Sequence, residues 1–349
     1  MRFSLFCCFC LLGLAGLPAA AQPTGNTTIA FGSCNNQSQP QPLWDDIVQA
    51  KPDLWVWLGD NIYADTDDMQ LMEHSYARQL QVPGYQQLLQ ICPVTGIWSD
   101  HDYANDNADK NSAYKKQSQQ LFLNFMGIPA QHPLRQQEGI YRSYTLGQGN
   151  HKVKILLLDG LYHRDPLTTL FGLYVPNSHA DVLGEAQWQW LEQELTNSDA
   201  AVHIIATDLQ VLPTSNSYTN WSAYPAARKR LLQLLARTQP AIPLLISGDR
   251  HVGELSKTEI KGYPYPLYEL TSSGMTHYRE AKKDGNRYRV GEQVGALNFG
   301  VLHIAWTGAG TTVTMQVRGD EGKLYLQESY TYPATHATGT FNKARRSGE

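Results

Sequence analysis

The chain alternates short apolar runs with longer segments in which apolar residues recur every three or four positions. Six apolar, β-rich runs predict strands: Thr28–Phe31, Leu54–Leu58, Val94–Trp98, Val153–Leu158, Val202–Ala206 and Ile242–Ile246. Four segments with helical periodicity lie between them: Leu43–Ala50, Ala113–Phe125, Leu183–Leu195 and Ala226–Ala236. Strands that alternate with helices in this way are typical of an α/β fold.

The last third of the chain has a different pattern. Five runs there predict antiparallel strands joined by polar turns: Glu254–Ile260, Leu267–Thr271, Phe299–Trp306, Thr311–Val317 and Leu324–Tyr330. The change indicates a mixed sandwich, in which two β-sheets pack face to face with helices outside. Residues 22–332 are predicted to form one domain, and residues 333–349, which show no periodicity, are predicted to form a mobile tail.

Composition is that of a globular protein. The 349 residues are 42% hydrophobic and 17% charged, which is enough apolar material for a sizeable core without disulfide support. A formal net charge of −4 provides no electrostatic basis for binding nucleic acid. We expect a monomer with no nucleic-acid partner.

The N-terminus has the features of a secretory signal peptide. Arg2 precedes the apolar run Phe3–Leu17, and small residues follow at Ala19 and Ala21. Cleavage after Ala21 is predicted, so residues 1–21 form the signal and the product is secreted or periplasmic. The apolar run is too short to span a bilayer comfortably and no second one follows, so no transmembrane segment is expected in the mature chain.

Two cysteines, Cys34 and Cys92, remain after this predicted cleavage. An oxidising compartment favours a disulfide between them. The position of Cys34 favours chemistry instead, because it follows a predicted strand and lies at the edge where α/β proteins usually bind ligands. The residues alone leave both interpretations open.

Polar clusters follow three further predicted strands, and they comprise Gly59–Tyr63, Ser99–Asp102 and Gly248–His251. In the middle cluster neighbouring side chains can face different ways. Asp100 could therefore bind a metal while Asp102 orients the imidazole of His101 toward a substrate. Each cluster alone also fits an ordinary turn or solvated loop, but three of them together with Cys34 indicate one shared site.

Several common hydrolase signatures do not occur in the sequence. There is no Gly-x-Ser-x-Gly, P-loop or His-Glu-x-x-His pattern, which argues against a serine hydrolase, a P-loop nucleotide hydrolase and a zinc protease. A lone histidine, His277, follows the predicted strand Leu267–Thr271 on a loop at the same edge. It is interpreted either as a substrate contact or as an ordinary packed or solvated residue.

The ordered set of motifs resembles the PhoD-type branch of the calcineurin-like metallophosphoesterases, which are exported alkaline phosphatases and phosphodiesterases. The resemblance rests on Phe31–Cys34, Gly59–Tyr63, Trp98–Asp102, Leu183–Leu191, Gly248–His251 and Thr271–Gly274. It implies a four-layer metallophosphoesterase-type sandwich. It also implies hydrolysis of phosphate mono- or diesters by attack of a metal-bound hydroxide or oxide.

The resemblance further implies a two-metal site with six protein ligands: Cys34, Asp60, Tyr63, Asp100, Asp249 and His251. Thiolate and phenolate donors favour Fe³⁺, so Cys34 and Tyr63 are assigned to iron, with His251 on the same side. Asp100 and Asp249 are assigned to a harder ion, which the resemblance implies is Ca²⁺. Asp60 is expected to bridge the two ions.

Catalytic roles for His101 and Asp102 are implied in the same way. His101, held by Asp102, is expected to protonate the leaving group or to stabilise phosphoryl oxygens. The expected substrate is a small-molecule, lipid or polymer phosphoester. The alternative is a non-catalytic secreted calcium-binding protein on the same fold, although such a protein has no use for the Cys34 thiolate or for imidazole ligands.

Two positions depart from the family pattern. Ser99 occupies the place of a further aspartate before the Asp-His-Asp run. Leu161 replaces the arginine of an Asp-x-Arg element that begins at Asp159, and Arg164 is the candidate to substitute for it.

Overall fold

The computed structural model describes residues 25–171, 173–214, 218–282 and 285–334. Its strands are β1 (Thr27–Gly32), β2 (Leu54–Leu58), β3 (Val94–Ile97), β4 (Arg142–Leu146), β5 (Val153–Leu157), β6 (Thr169–Leu170), β7 (Leu173–Tyr174), β8 (Val202–Thr207), β9 (Pro243–Ser247), β10 (Gly253–Glu259), β11 (Pro266–Ser272), β12 (Arg289–Val294), β13 (Phe299–Thr307), β14 (Gly310–Arg318) and β15 (Leu324–Pro333). Its helices are α1 (Trp44–Gln49), α2 (Met69–Leu80), α3 (Pro83–Ile91), α4 (Asp100–Tyr103), α5 (Lys115–Phe125), α6 (Glu185–Thr196) and α7 (Pro225–Thr238).

Every strand and helix predicted from the sequence has a counterpart in the fold, but some elements have no predicted equivalent. The sequence pattern does not predict α2, α3, β4, β12 or the short β6–β7 pair. Strands β4 and β12 lie at opposite edges of one sheet and are exposed or half-buried except at their last residue, so they lack the apolar run of a central strand. Their pairing depends on neighbours that are distant in sequence.

Two mixed sheets form the body of the fold. The first has the strand order β15-β14-β13-β1-β2-β3, and the second has the order β12-β10-β11-β9-β8-β5-β4. Strands β1, β2 and β3 are mutually parallel, as are β5, β8, β9 and β11, whereas the C-terminal strands β13, β14 and β15 pair in antiparallel fashion. The predicted α/β sandwich of two mixed sheets is confirmed.

Alternating side chains of β5 show how the second sheet is covered on both faces. Ile155 and Leu157 belong to the apolar cluster that also contains residues of the first sheet, such as Phe31. Leu156 joins a separate cluster with residues of α6 and α7. One face of the sheet therefore packs against the other sheet, and its opposite face packs against helices.

Tryptophans cover the outer face of the first sheet. Trp44 of α1 lies edge-on to Trp55 and Trp57 of β2, with ring centroids 5.4 and 5.6 Å apart. Each such pair contributes about 1 kcal/mol beyond the area that it buries. Together these layers hold the strand ends, and hence the loops that follow them, in fixed positions.

Histidine 203 is a buried titratable residue inside the second sheet, on β8. Its Nδ1 bonds the carbonyl oxygen of Ala241 at 2.7 Å, and only 1% of His203 is exposed. Burial lowers the pKa of His203 to about 4, so the ring is neutral at pH 7.

No helix among the described residues is long and apolar enough to cross a membrane. Strand β15 reaches Pro333. The predicted signal peptide, and the predicted tail beyond residue 334, lie outside the described residues.

Candidate metal centre

The loops that follow five strands meet at one edge of the sandwich and hydrogen-bond to one another. The backbone N–H of Asn35, after β1, donates to the carbonyl of Asp60, after β2, at 2.9 Å. The N–H of Thr276, after β11, donates to the carbonyl of Cys34 at 3.3 Å, and Gly248, after β9, donates to Asp208, after β8, at 2.9 Å. The two sheets therefore contribute to one site.

Four of the candidate ligands have left-handed backbone conformations. The φ angles are 60° at Cys34, 48° at Asp60, 64° at Asp249 and 57° at His251. Residues other than glycine rarely adopt this region, and each such conformation costs on the order of 1–3 kcal/mol. Strain concentrated at these positions indicates that the surrounding loops hold the four side chains against their local preference.

Glycines allow two of these loops to pack closely. Gly59 has φ 89°, and a Cβ added there would lie 2.5 Å from the Cβ of Ser99. A Cβ on Gly248 would lie 2.5 Å from the hydroxyl oxygen of Ser33. Only glycine therefore lets the aspartates that follow, Asp60 and Asp249, approach the neighbouring strand ends.

Metal-ligating atoms gather into two overlapping groups, which we call the first and second triads. In the first triad, one donor atom each from Cys34, Asp60 and His251 lie within 4.8 Å of one another. In the second triad, donor atoms of Asp60, Asp100 and His101 meet the same limit. Asp60 belongs to both, which is the geometry required of a ligand shared by two ions.

Tyr63 lies beside the first triad. Its hydroxyl donates to Asp60 Oδ2 at 3.2 Å and is 3.3 Å from His251 Nε2. Asp249 is half-buried, and burial followed by the charges of Asp100 and Asp60 raises its pKa, but it is in neither triad. Its assignment as a metal ligand remains a prediction.

The acidic groups of this cluster lie close together and out of water, which raises their pKa values. Burial, followed by the charge of Asp100, raises the pKa of the Asp60 carboxyl. Burial, followed by the charge of Asp60, raises the pKa of both the Cys34 thiol and the Tyr63 phenol. A bound cation reverses this effect, because positive charge favours the deprotonated forms.

An unsatisfied atom shows that the residues present fit a cation. Asp60 Oδ1 is buried and has no hydrogen-bond partner among the described residues. A buried carboxylate oxygen without a partner is costly, and such oxygens are normally paired or bound to a metal. The donor set of thiolate, phenolate, imidazole and carboxylate around Asp60 is therefore suited to metal binding.

The predicted partnership between His101 and Asp102 is wrong. The His101 Nδ1 atom lies 2.6 Å from Asp65 Oδ1, so Asp65 holds the imidazole. Burial lowers the pKa of His101, but the hydrogen bond with Asp65 and the charges of Asp60 and Asp100 outweigh burial and raise the pKa to about 10. His101 therefore carries a proton at neutral pH.

Asp102 turns inward and stabilises the loops themselves. Its carboxylate accepts from the backbone N–H of Ser99 at 2.7 Å and from that of Asn61 at 3.1 Å. The Ser99 bond closes a capping box at the start of α4. In this capping box Asp102 is the third residue of the helix and its side chain faces the helix start. Its carboxylate is therefore directed away from the imidazole of His101.

Two members of the site, Asp65 and His277, were not assigned a definite role from the sequence. Asp65 follows the Gly59–Tyr63 cluster and has φ 45°, but an exposed aspartate on a loop carries no signal of its own. His277 Nε2 lies 3.0 Å from the Tyr63 hydroxyl, and its ring centroid is 4.4 Å from that of His251. His277 therefore lies at the site, beside Tyr63 and His251, and a contact with the substrate remains a prediction.

The two cysteines of the described chain are both free, which excludes the disulfide between Cys34 and Cys92. Cys34 is fully buried at the site edge, whereas Cys92 ends α3 on the outside of the first sheet. Cys34 is therefore available as a ligand.

The candidate arginine and its neighbours lie underneath the triads. Arg164 is buried, with a guanidinium nitrogen 3.8 Å from Asp208 Oδ2. Its charge also acts on Asp100 and Asp249, so it compensates part of the negative charge at the site. Leu161, which stands where the family pattern has an arginine, is fully buried in the apolar core.

Comparisons with known proteins agree with this arrangement. The sequence matches the PhoD-like phosphatase family over residues 29–294. It is 22% identical over 325 residues to alkaline phosphatase D of Bacillus subtilis (strain 168), covering 77% of this chain and 54% of that protein. The chain thus spans about half the length of this curated relative.

Two solved structures share the fold. The structure of PhoD superposes with a TM-score of 0.74 at 17% identity, covering 92% of this chain and 72% of that one. A dimetal phosphatase from Danio rerio superposes with a TM-score of 0.50 at 14% identity, covering 88% of this chain and 99% of that one. Since the family match extends over most of the chain and the fold agrees, the chain belongs to the PhoD-like phosphatase family.

Proposed function

We propose that the chain is a metal-dependent phosphoesterase that hydrolyses phosphate mono- or diesters after export from the cytoplasm. The observation that carries the proposal is the position of Asp60, a buried carboxylate shared by two triads of metal-ligating atoms. Membership of the PhoD-like phosphatase family supports phosphoester hydrolysis as the reaction. The signal-like N-terminus supports export.

The two triads suit two different ions. Cys34, Tyr63 and His251 would hold Fe³⁺, because thiolate and phenolate favour a highly charged transition-metal ion. Asp100, together with Asp249, would hold Ca²⁺, which prefers oxygen ligands, and Asp60 would be shared. When bound, a pair of cations supplies charge that neutralises phosphoryl oxygens and makes a nearby water more acidic.

His101 is the candidate proton donor. Its hydrogen bond with Asp65 favours the protonated ring and occupies Nδ1, which leaves Nε2 for the substrate. In the reaction, the water oxygen forms a bond to phosphorus while the bond from phosphorus to the leaving oxygen breaks. The attacking water releases a proton to solvent, the departing alcohol takes the proton from Nε2, and His101 recovers a proton from solvent.

The direct test is hydrolysis by the purified protein of one chromogenic phosphomonoester and one chromogenic phosphodiester, before and after metal removal. We expect activity on at least one substrate, loss of that activity with chelator, and recovery when iron and calcium are returned. Metal analysis by mass spectrometry should find two ions per chain. A protein with calcium bound and no hydrolysis of either substrate would support the alternative of a non-catalytic calcium-binding protein.

A further inference from the structure

A group of positive charges lies on the His251 side of the triads and has no role in the proposed hydrolysis. It consists of Arg250, Arg279 and Lys282, which line one cavity together with Tyr218, and we call it the arginine cluster. These residues line a small cavity beside the site. The same lining contains one carboxylate, Glu280, against the three cations.

Tyr218 brings two guanidinium groups together. The Cζ atom of Arg250 lies 3.8 Å from the centroid of the Tyr218 ring, and the Cζ atom of Arg279 lies 5.2 Å from it. Each contact is a favourable cation–π interaction. Two like charges on one ring nevertheless repel each other, and an anion placed between them would relieve that repulsion.

The two arginines differ in their freedom to meet a ligand. Arg250 is buried, and its Nε donates to Gln210 Oε1 at 3.0 Å, so it is a fixed charge beneath the cavity. Arg279 is exposed, but its backbone N–H donates to the carbonyl of His251 at 2.7 Å. The Nε of Arg279 lies 3.4 Å from His251 Nδ1, which places the guanidinium one imidazole ring away from the first triad.

The cluster has an excess of positive charge. Among the described residues, no carboxylate forms an ion pair with Arg279 or Lys282. The His251 side of the site is thus electropositive, which is the environment that an anionic group of a ligand requires.

We propose that Arg279, supported by Arg250 and Lys282, binds a second phosphoryl group of the substrate, next to the phosphoryl group held at the triads. This inference rests on the proposed function and deepens it. Arginine is suited to the role because its planar fork can donate two hydrogen bonds to one phosphate. The preferred substrates are then esters in which two phosphoryl groups are adjacent, such as diphosphate esters, over monoesters that carry a single phosphate.

Ligand binding tests the subsite independently of catalysis. The probes are methylenediphosphonate, which carries two adjacent phosphonates and resists hydrolysis, and methylphosphonate, which carries one. Calorimetric titration of the purified protein should give an affinity for the first probe at least about tenfold higher than for the second. Arg279→Gln should reduce this ratio roughly tenfold, and Lys282→Gln should reduce it by a smaller factor.

Arg287→Gln is the matched control, because Arg287 is also exposed and also stacks on a tyrosine, Tyr288, but does not line this cavity. It should leave the ratio unchanged. The subsite is refuted if the wild-type protein does not prefer the diphosphonate, or if Arg279→Gln and Lys282→Gln both preserve the preference. Retained preference without hydrolysis of any phosphoester would refute the proposed function and leave the subsite standing.

Discussion

The loop edge of the sandwich and its interior differ in the ionisable side chains that they bury. At the edge, Asp60 and Asp100 are buried and Asp249 is half-buried beside them, and Asp60 and Asp249 also have left-handed backbones. In the interior, His203 is kept neutral by burial and bonded to a backbone carbonyl. The interior keeps His203 uncharged, whereas the edge gathers several acidic groups.

This difference separates residues that stabilise the fold from residues that make a site. Unpaired buried charge and backbone strain both lower stability, and they persist where the surrounding structure imposes them. We therefore expect edge variants to lose activity without losing stability. Interior variants should do the reverse.

The largest effect is expected at Asp60. Asp60→Asn should lower kcat/KM for a phosphoester roughly a thousandfold, because the shared ligand of both triads loses its charge. In metal-depleted protein the same change should raise the free energy of unfolding by about 1 kcal/mol, since it removes one of several buried carboxylates. Enzyme assay and urea unfolding measure the two effects.

Asp67→Asn is the control for Asp60, because Asp67 is an exposed acid on the same loop. It should change neither quantity. An Asp60→Asn protein that was both less active and clearly less stable without metal would contradict the separation between edge and interior.

The next effect is the pH dependence of stability at His203. The folded pKa of about 4 lies below the ordinary value of 6.5, so its contribution is present above pH 6.5 and is lost as pH falls through 4. That loss is about 3 kcal/mol for the wild-type chain. His203→Gln should flatten this part of the curve of unfolding free energy against pH and preserve kcat per folded molecule.

His74→Gln, on the exposed face of α2, serves as the comparison for His203. It should leave the wild-type slope intact. Equal slopes in the wild-type protein and in His203→Gln would mean that the interior does not exclude this charge.

The two free cysteines give a smaller and more specific contrast. Cys34→Ser should lose one of two bound metals and reduce activity between about 10- and 100-fold, because a hydroxyl replaces a thiolate ligand. Cys92→Ser should keep both metals, since Cys92 lies away from the triads. Mass spectrometry measures the number of metal ions bound by each variant. Identical metal content in both variants would show that Cys34 is not a metal ligand.

The smallest expected effect concerns the two aspartates near His101. Asp65→Asn should lower kcat roughly tenfold with little change in stability, because Asp65 orients the imidazole. Asp102→Asn should instead lower the free energy of unfolding by about 2 kcal/mol, because the N–H groups of Ser99 and Asn61 lose carboxylate acceptors. The reverse pattern would restore the sequence-based assignment of Asp102.

The sequence predicted the central strands and the residues at their ends more successfully than the rest. A buried strand requires an apolar run, and a ligand at its end requires a tight turn, so both leave local patterns such as Gly59 followed by Asp60. Edge strands such as β12 and loop residues such as Asp65 leave no such pattern. Their positions depend on partners elsewhere in the chain.

The sequence by itself determined the α/β class, the family, and the residue types available for metal binding, because periodicity and strand-end motifs are local properties. Only the tertiary structure decided which side chains meet. It joined Asp65 to His101, turned Asp102 into a helix cap and brought His277 to Tyr63. These contacts join residues distant in sequence or depend on which way a turn faces, and the packing of loops from two sheets sets both.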